Sequence, residues 1–384
     1  MKVLHIAPVK LILSSSGNPE LASEGISHSV TSLISAQSYN GLEVGLISSY
    51  TCDSASLGGI YCQSLEKIKL KNLISKKIIT KYLVDFGLPD LVHVHDIYNL
   101  KQLLIIFNLL NQGVLVYLSP RGSFSPVALK RGRKKKLLIR LFLNIFIFNR
   151  LEAFIALNEG EKKYIEALYP KKNIIIAYNG TNNHFLKHHF YRHNFRTKYK
   201  SNEVNIGFIG RFDIHIKGLD LLLNAYLKYQ KYTNNINIKL TLIGNHRIKG
   251  KQDSALFFQN IITKLPDPSM ISISGPMFGE EKWNELSKFD ILIQPSRSEG
   301  MPMTVLEAMS IGIPCIVSKE TNMEEIINES KSGWVINATE NDLFEIFKKI
   351  KNIQKIKLIK MGLKGMRYSK KKLNWNEVSK INYL

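Results

Sequence analysis

The sequence predicts an α/β protein with two doubly wound parallel sheets, and three observations lead to that prediction. Short apolar runs recur along the chain, each bounded by Pro, Gly or Ser, and they are too short to be buried helices. Their continuous apolar character is typical of parallel strands that are covered on both faces. The alternation of strands and helices restarts after a polar stretch at 188–202, and 384 residues suffice for two domains with separate cores.

Strands and helices alternate through the first half, which predicts a parallel, doubly wound sheet. A long loop rich in Ser and Gly separates the first strand from the first helix. The predicted strands are Lys2–Ala7, Glu43–Ser48, Leu91–His95, Val114–Leu118 and Phe154–Leu157, and the first helix is predicted over Ser27–Ser38.

The second half repeats the pattern, so we expect a second α/β domain after a boundary near 181–202. In its last part, Pro302 precedes a predicted helix and Gly312 follows it, as is usual at helix starts and ends. The predicted strands are Asn205–Ile209, Lys239–Ile243, Met270–Ser274, Asp290–Gln294 and Pro314–Val317, and the predicted helices are Gly218–Tyr229 and Met303–Ser310.

Composition indicates a soluble globular protein, because 45% of the residues are hydrophobic and 22% are charged. Three cysteines (Cys52, Cys62 and Cys315) without paired metal spacing argue for a reducing compartment and against a disulfide framework or a zinc site. The first residues lack an apolar core long enough for a signal peptide, and no run approaches the roughly 18 apolar residues of a membrane span. We therefore expect a cytoplasmic protein.

The net charge of +22 is concentrated in part of the chain. Between Ile97 and Leu151 there are ten basic residues and no acidic one, and the basic cluster runs into the apolar stretch Leu137–Phe148. A basic segment joined to an apolar stripe suits an anionic membrane surface, so 130–148 is a candidate for peripheral docking. A core helix with a solvated basic lead-in explains the pattern equally well. Nucleic acid binding is a third reading, but aromatic residues are not interleaved with the basic ones and no reading module is recognisable.

Two glutamates flank the predicted junction between a strand and a helix in the second half. Glu299 lies in the loop after the strand, and Glu307 lies eight residues on, in the helix. Open α/β sheets bind ligands at this edge, where free helix N–H groups attract anions. A carboxylate in such a place is suited to binding hydroxyl groups rather than phosphate. A solvated glutamate is the commoner case for either residue taken alone.

Two cations occupy an equivalent junction near the start of the second half. Arg211 and Lys217 lie between a predicted strand and the helix that Gly218 opens. Fixed cations beside a helix N-terminus neutralise a bound pyrophosphate, and they stabilise the charge that grows when a nucleoside diphosphate departs. In a Lys-rich chain, two surface cations are the plain alternative.

Both junctions resemble the retaining glycosyltransferases of family 4. The stretch EGMPMTVLEAMSIGIPCIVS resembles the signature segment of that family, and Gly-Arg followed by Lys-Gly matches its phosphate-binding pair. The resemblance implies that Arg211 and Lys217 hold the donor pyrophosphate, that Glu299 with Gly300 and Met301 contacts the donor sugar, and that Glu307 binds the ribose. It implies no required metal, and no Asp-x-Asp follows a predicted strand.

The same resemblance implies the GT-B architecture, in which two Rossmann-like domains face each other across a cleft. It assigns 1–185 to the acceptor-side domain, 200–365 to the nucleotide-sugar-binding domain, and 366–384 to a final helix that crosses back to the first. The stretch Tyr178–Thr181 corresponds to a hinge.

The first domain departs from the family pattern in places. The turn into its first helix keeps one of two usual glycines, Gly25, which we expect near the donor phosphate. VHVHD resembles a family strand that carries His93 and His95 toward the cleft. Arg121 stands roughly where many relatives carry a histidine that faces the donor sugar, which suggests a different sugar or acceptor.

The resemblance implies a hexosyl- or N-acetylhexosaminyltransferase that retains anomeric configuration, with a glycan or lipid-linked acceptor in bacterial surface polysaccharide assembly, such as lipopolysaccharide, capsule or exopolysaccharide. Two alternatives stay open: a sugar-nucleotide epimerase of the same fold, and a basic nucleic-acid-binding protein without catalytic activity. A nicotinamide oxidoreductase is disfavoured, because neither half supplies a Gly-x-Gly-x-x-Gly turn after a strand.

Overall fold

The computed structural model describes residues 1–13, 19–21, 25–50, 57–66, 83, 85–96, 99–130, 143–181, 203–246, 248–249, 252–381 and 383. The chain divides into two compact units, one of Met1–Gly180 with Trp375–Leu384 and one of Thr181–Asn374. Each unit is built on one parallel sheet with an apolar core of its own. The predicted α/β class with two Rossmann-like domains is confirmed.

The first unit has a seven-stranded sheet in the order β5-β4-β1-β6-β7-β8-β9, and every pairing in it is parallel. A short antiparallel pair, β2 and β3, lies outside this sheet. The strands are β1 (Lys2–Ala7), β2 (Leu11–Leu13), β3 (Pro19–Leu21), β4 (Glu43–Ser48), β5 (Tyr61–Ser64), β6 (Leu91–His95), β7 (Leu115–Ser119), β8 (Ala153–Ala156) and β9 (Ile174–Ile176), and the helices are α1 (Gly25–Tyr39), α2 (Leu100–Leu110), α3 (Pro126–Lys130) and α4 (Glu159–Leu168).

Apolar clusters cover both faces of the first sheet. Val3 packs into one cluster and Leu4 into the other, because successive side chains of a strand point to opposite faces. Residues 2–7 are therefore buried almost throughout, as the unbroken apolar run predicts.

The second unit has a six-stranded parallel sheet in the order β14-β11-β10-β15-β16-β17. A two-stranded antiparallel pair, β12 and β13, lies beside the connection that follows β11. The strands are β10 (Val204–Ile209), β11 (Ile238–Ile243), β12 (Ile248–Lys249), β13 (Gln252–Asp253), β14 (Ile271–Ser274), β15 (Ile291–Gln294), β16 (Cys315–Ser318) and β17 (Gly333–Ile336), and the helices are α5 (Leu219–Tyr232), α6 (Ser254–Ile262), α7 (Gly279–Ser287), α8 (Met303–Ser310), α9 (Glu324–Ser330), α10 (Glu340–Lys351), α11 (Lys355–Lys372) and α12 (Trp375–Val378), the last of which belongs to the first unit.

Helix starts in the second unit follow local sequence signals. The Thr339 hydroxyl accepts a hydrogen bond from the Asp342 backbone N–H at the start of α10, and lysines fill the last turn of that helix. Pro302 is the residue before α8, and the predicted bounds of α8, Met303–Ser310, agree with the structure.

Some predicted bounds differ from the observed ones. β14 begins at Ile271, because Pro268–Met270 form a short 3-10 turn that Asp267 caps. The helix α11 is continuous from Lys355 to Lys372, so the predicted boundary between 365 and 366 lies inside it. Residues 375–384 pack with the first unit.

The predicted docking segment 130–148 is described only at its ends, because 131–142 lie outside the described residues. In the described end, Leu143, Ile147 and Phe148 are buried in the core of the first unit, while Ile145 and Phe146 are exposed. Part of this apolar stretch is thus core. No helix in the described part of the chain has the length and hydropathy of a membrane span.

The cysteines differ from expectation in one respect. Cys315 is a free, buried thiol in β16. Cys62 in β5 is disulfide-bonded, although free cysteines were expected. Cysteine usage therefore carries no argument for a reducing compartment.

Candidate functional site

The candidate site of the second unit lies at the carboxyl ends of β10 and β15, which are neighbours in the sheet. One loop leads from β10 to α5 and another leads from β15 to α8. Parallel strands bring the loops after their carboxyl ends to one edge, where open α/β sheets bind ligands. The predicted cations and carboxylates are in these loops and at the start of α8.

Gly218 brings the two loops into contact. Its φ is +66°, in the left-handed region, and it immediately precedes α5. A Cβ at this position would lie 2.1 Å from the Pro295 carbonyl oxygen. Only glycine combines this φ with so close an approach. The start of α5 is therefore held against the loop that carries Glu299.

The Glu299 carboxylate is held by three donors on one oxygen. Lys217 Nζ lies 2.5 Å from Oε1, Ser296 Oγ donates to it at 2.8 Å and Gln294 Nε2 at 3.1 Å. Both charged side chains are only 15% exposed, so the ion pair is shielded from water. Oε2 has no hydrogen-bond partner among the described residues, which leaves it able to accept from a ligand hydroxyl.

The loop that carries Glu299 is also fixed through its backbone. The Glu299 N–H donates to the Glu320 carbonyl at 3.0 Å, and Asn322 Nδ2 donates to the Glu299 carbonyl at 2.9 Å. Asn322 itself has a φ of +58°. The short segment after β16 therefore fixes the backbone of Glu299 and with it the position of the carboxylate.

Arg297 neutralises an acidic residue in the first turn of α5. Its two terminal nitrogens donate to the two carboxylate oxygens of Asp220, each at 2.7 Å. Its backbone N–H donates to the Ile216 carbonyl at 2.8 Å. An unpaired carboxylate there would repel an anion at the helix N-terminus, and the bidentate pair removes most of that repulsion. No local sequence pattern marks this pair, because its two residues are far apart in the chain.

Glu307 has one paired oxygen and one unpaired oxygen. Lys282 Nζ in α7 lies 2.6 Å from Oε1, and Oε2 is buried with no hydrogen-bond partner in the described structure. A buried carboxylate oxygen without a donor is unfavourable unless a ligand supplies one. Lys282 was also missed by sequence reasoning, because nothing distinguishes it from the other lysines of the chain.

The other predicted residues of this site differ in exposure. Arg211 directly follows Gly210 and is exposed, and its side chain makes no ion pair with a described residue. Met301 is buried, and Gly300 is half-buried in the loop between Glu299 and α8. Lys217, Glu299 and Arg297 are brought together, whereas Arg211 is a free cation on the same loop as Lys217.

The first unit contains a buried chain of polar groups at the carboxyl ends of β1, β6 and β7. His5 and His93 are register partners in neighbouring strands, and His95 lies at the end of β6. All three histidines are buried. His5 Nδ1 lies 2.9 Å from His95 Nε2, and His5 Nε2 lies 2.7 Å from Gln37 Oε1.

Arg121 gives this chain its direction, because a guanidinium can only donate. Its Nε donates to His95 Nδ1 at 3.0 Å, so the neutral His95 carries its proton on Nε2 and donates to His5. His5 in turn carries its proton on Nε2 and donates to Gln37.

The chain of hydrogen bonds continues through Tyr383, in the C-terminal segment of the first unit. Gln37 Nε2 donates to the Tyr383 hydroxyl at 2.9 Å, and that hydroxyl donates to His93 Nδ1 at 3.0 Å. His93 Nε2 then donates to Ser119 Oγ at 2.8 Å. The six bonds therefore run in one direction from Arg121 to Ser119.

Burial sets the protonation states in this chain. It lowers the pKa of His5 to about 4, and it lowers the pKa values of His93 and His95 well below the usual range. The nearby guanidinium of Arg121 acts in the same direction on all three histidines. Burial also lowers the pKa of Arg121 to about 10, which leaves the guanidinium charged at neutral pH.

The three histidines are the one group of potential metal ligands in the described residues, with nitrogens within 4.8 Å of one another. Their fit to a metal is poor for two reasons. Every ring nitrogen already has a hydrogen-bond partner, and the cationic Arg121 side chain bonds directly to His95. A metal here would have to break the chain beside a fixed positive charge. The cluster is therefore a structural hydrogen-bond chain, and His93 and His95 are both buried within it.

Arg121 has further neutral partners and a strained backbone. Its φ is +51°, and its Nη1 donates to Ser29 Oγ at 2.9 Å and to Asn179 Oδ1 at 3.2 Å. Ser29 lies in the second turn of α1, which begins at the exposed Gly25. Arg121 Nη2 has no partner in the described part of the chain. Residues 22–24, just before Gly25, lie outside it.

Comparison with protein families gives a match over residues 189–358, to the family described as "Glycosyl transferases group 1". The matched residues include both junctions of the second unit. An uncharacterized glycosyltransferase of Methanocaldococcus jannaschii is 26% identical over 54% of this chain, and the alignment spans 51% of that relative. An uncharacterized 41.2 kDa protein in the cps region of Klebsiella pneumoniae is 24% identical over 74% of this chain and 77% of its own length.

A shorter match has a named activity. The UDP-Gal:α-D-GlcNAc-diphosphoundecaprenol α-1,3-galactosyltransferase of Escherichia coli is 38% identical over 61 residues, which is 16% of each chain. So short a match bears on a segment and not on the whole protein.

Solved structures resemble the whole chain in fold. Sucrose-phosphate synthase of Thermosynechococcus elongatus has a TM-score of 0.73 with 15% identity, covering 99% of this chain and 96% of its own. HepE of Anabaena in complex with UDP-glucose has a TM-score of 0.70 with 16% identity, covering 99% and 97%. At such identities the likeness shows the fold alone.

Proposed function

We propose that this chain is a group 1 glycosyltransferase that moves a sugar from a nucleoside diphosphate sugar to a glycan or lipid-linked acceptor. The observation that carries the proposal is the largely shielded Lys217–Glu299 ion pair just before α5, in which each side chain is 15% exposed. The second carboxylate oxygen of Glu299 has no hydrogen-bond partner among the described residues. A cation for phosphate and an acceptor for sugar hydroxyls thereby lie side by side. The family match over 189–358 supports the same reading.

The donor pyrophosphate is held at the N-terminus of α5 by Lys217 and Arg211. The free N–H groups at the helix start and the two cations supply complementary charge, and Asp220 does not oppose them because Arg297 pairs with it. As the bond between the sugar and the phosphate breaks, negative charge grows on the leaving diphosphate. Lys217 and Arg211 stabilise that charge in the transition state.

The two glutamates bind the parts of the nucleotide sugar other than the pyrophosphate. Glu299 Oε2 accepts from a hydroxyl of the transferred sugar, with Gly300 and Met301 lining the same loop. Glu307 Oε2, which is buried without a donor, accepts from the ribose hydroxyls. The role of Glu307 rests on the need of its buried Oε2 for a hydrogen-bond donor, and the role of Glu299 rests on its place beside Lys217.

The reaction proceeds with retention of anomeric configuration, as in family 4, and the leaving phosphate assists attack on the same face. We assign no nucleophilic carboxylate, since Glu299 is held by three donors on one side of its head group. We propose that neither a metal nor an organic cofactor takes part. The transferred group is a hexosyl or N-acetylhexosaminyl residue.

The biological setting that we propose is bacterial surface polysaccharide assembly at the cytoplasmic face of the membrane. The K. pneumoniae relative is named for the cps region, and the E. coli relative acts on a diphosphoundecaprenol-linked acceptor by its name. HepE, which shares the fold, was solved with UDP-glucose. These findings support a UDP-sugar as the first donor to test.

The experiment that tests the proposal follows release of nucleoside diphosphate from a panel of UDP- and GDP-sugars, with and without undecaprenyl diphosphate-linked acceptors. A transferase produces a glycosylated acceptor, and NMR of the new linkage gives its anomeric configuration. An isomerised sugar nucleotide formed without acceptor would identify the epimerase alternative. No turnover of any donor, together with salt-sensitive binding of generic DNA, would favour the nucleic-acid-binding alternative.

A further inference from the structure

The most cationic surface element of the second unit is the helix α11. Residues 348–372 contain eleven Lys and Arg residues and no Asp or Glu. That run supplies half of the net charge of +22, since eleven is half of twenty-two. The function proposed above makes no use of it.

The cations of α11 are arranged on one face. Five of them recur at alternating intervals of three and four residues, which places them in one row along a helix. We call this row the α11 stripe; its members are Lys357, Lys360, Lys364, Arg367 and Lys371. All five are exposed, and the stripe is about 21 Å long at 1.5 Å per residue.

The opposite face of α11 is clamped to the body of the second unit. Leu358, Gly362, Gly365 and Ser369 are its buried residues, and they recur with the same intervals on the other side of the helix. A Cβ at Gly362 would lie 1.8 Å from the Gly312 carbonyl oxygen. The helix therefore lies directly against the backbone, and its outer face is presented rigidly.

The α11 stripe is not neutralised by the protein. None of its five members forms an ion pair or a side-chain hydrogen bond with any described residue. The acidic partners near the helix are used at its two ends, where Lys355 lies 3.9 Å from Asp290 and Lys372 pairs with Glu329. Five like charges in one row repel one another, so the row is more favourable beside an anionic surface.

We propose that the α11 stripe docks the protein on an anionic lipid bilayer. A straight row of primary amines and one guanidinium matches a plane of lipid phosphates. Ile356, which is 54% exposed, lies in the first turn beside Lys357 and Lys360 and can enter the interface. The α11 stripe lies in a different part of the sequence from the segment 130–148, and its proposed role does not depend on the proposed function.

The stripe is poorly suited to nucleic acid by comparison. Tyr368 is the single aromatic residue of α11, and its hydroxyl donates to Glu329 at 2.7 Å. The helix therefore offers no free aromatic ring on which a base could stack. The stripe also lacks amide side chains that could read base edges.

The test is sedimentation of the full-length chain with vesicles made of equal parts of phosphatidylglycerol and phosphatidylcholine. The variant replaces Lys357, Lys360 and Lys364 by Gln, which has a helix propensity close to that of Lys. The matched control replaces three exposed lysines outside α11 by Gln, at Lys163, Lys171 and Lys264. Both variants remove three positive charges, so their net charges are equal.

We expect the α11 variant to lower vesicle partitioning by about a hundred-fold, since each cation at an anionic surface contributes about 1 kcal/mol, or five-fold. We expect the control to change partitioning by about two-fold at most, because its charges lie off the stripe. Wild-type binding should disappear with pure phosphatidylcholine or at high salt. Unchanged thermal midpoints for both variants would show that folding is intact.

Three outcomes would overturn the proposal. The first is wild-type protein that stays in the supernatant with anionic vesicles at low salt. The second is an equal loss in both variants, which would indicate general attraction by net charge. The third is loss in a variant with Lys134, Lys135 and Lys136 replaced by Gln but not in the α11 variant.

Discussion

Lys217 Nζ lies 2.5 Å from Glu299 Oε1, although 82 residues separate the two in sequence. This pair joins the loop after β10 to the loop after β15, and Gly218 and Pro295 bring the same loops into backbone contact. The pair orients both side chains before a ligand arrives, so less conformational entropy is lost when a ligand binds. The ion pair therefore fixes the positions of the cation proposed for phosphate and the carboxylate proposed for the sugar relative to each other.

We predict that Lys217→Ala and Arg211→Ala each slow sugar transfer by about ten-fold or more, since each removes a charge-assisted contact to the leaving diphosphate. Lys264→Ala is the control, because Lys264 is an exposed lysine outside the site. Initial rates at saturating acceptor give the comparison. Wild-type rates in both site variants would show that these cations do not hold the diphosphate.

Substitutions of the two glutamates should differ in their effect on the affinity for free nucleotide. We predict that Glu307→Gln weakens both free nucleoside diphosphate and nucleotide sugar, because its unpaired Oε2 accepts from the ribose. Glu299→Gln should weaken only the nucleotide sugar. Titration calorimetry with both ligands measures this, and wild-type affinity of both variants for the free nucleotide would refute the division of roles.

Gly218→Ala should destabilise the second unit and disturb the site. A left-handed φ together with a Cβ 2.1 Å from the Pro295 oxygen costs at least about 2 kcal/mol. Gly275→Ala is the matched control, since nothing lies within 4 Å of its Cβ position, and its effect should stay within about 0.5 kcal/mol. Denaturant unfolding compares the two variants. Equal stability would mean that the loops do not touch as described.

The buried histidines predict that stability falls in acid. Burial lowers the pKa of His5 to about 4 in the folded protein, below the value of about 6.5 in an unfolded chain. The unfolded state therefore binds more protons below about pH 6.5, and stability is lost as pH falls from there toward 4. Each such histidine contributes a slope of about 1.4 kcal/mol per pH unit.

Thermal unfolding at a series of pH values measures this loss for the first unit. His215→Gln should leave the pH profile unchanged, because His215 is exposed in the second unit. His93→Gln should flatten the profile, since it removes one of the three buried groups. A wild-type midpoint that is constant between about pH 7 and about pH 5 would contradict the statement that burial keeps these histidines neutral.

Sequence reasoning located the two sheets and the strand ends of the second unit well. The bounds of α8 and the start of β1 agree with the structure, because short apolar runs between Pro and Gly leave little freedom in placing strands and helices. Candidate site residues such as Glu299 and Lys217 could be named from the sequence, because each lies within a few residues of a predicted helix start. Their roles stay predictions.

Partners that come from distant segments could not be named. Lys282 pairs with Glu307 and Asp220 with Arg297 through sheet order and helix packing, which no local pattern records. His5 pairs with His93 across β1 and β6 because these strands are neighbours in register, 88 residues apart. Tyr383 completes the chain from the other end of the sequence. Only the sheet order, once known, would have revealed the histidine group.

The most direct test of the account is the thermal midpoint of the protein with UDP, GDP and their sugars, in wild type and in Lys217→Ala. Binding to the native state raises the midpoint, and a ligand at a hundred times its dissociation constant adds about 2.7 kcal/mol. We predict a clear rise in the wild type with at least one nucleotide sugar, and loss of most of that rise in Lys217→Ala. No rise with any nucleotide, or an equal rise in both proteins, would contradict the assignment of this site to a nucleotide-sugar donor.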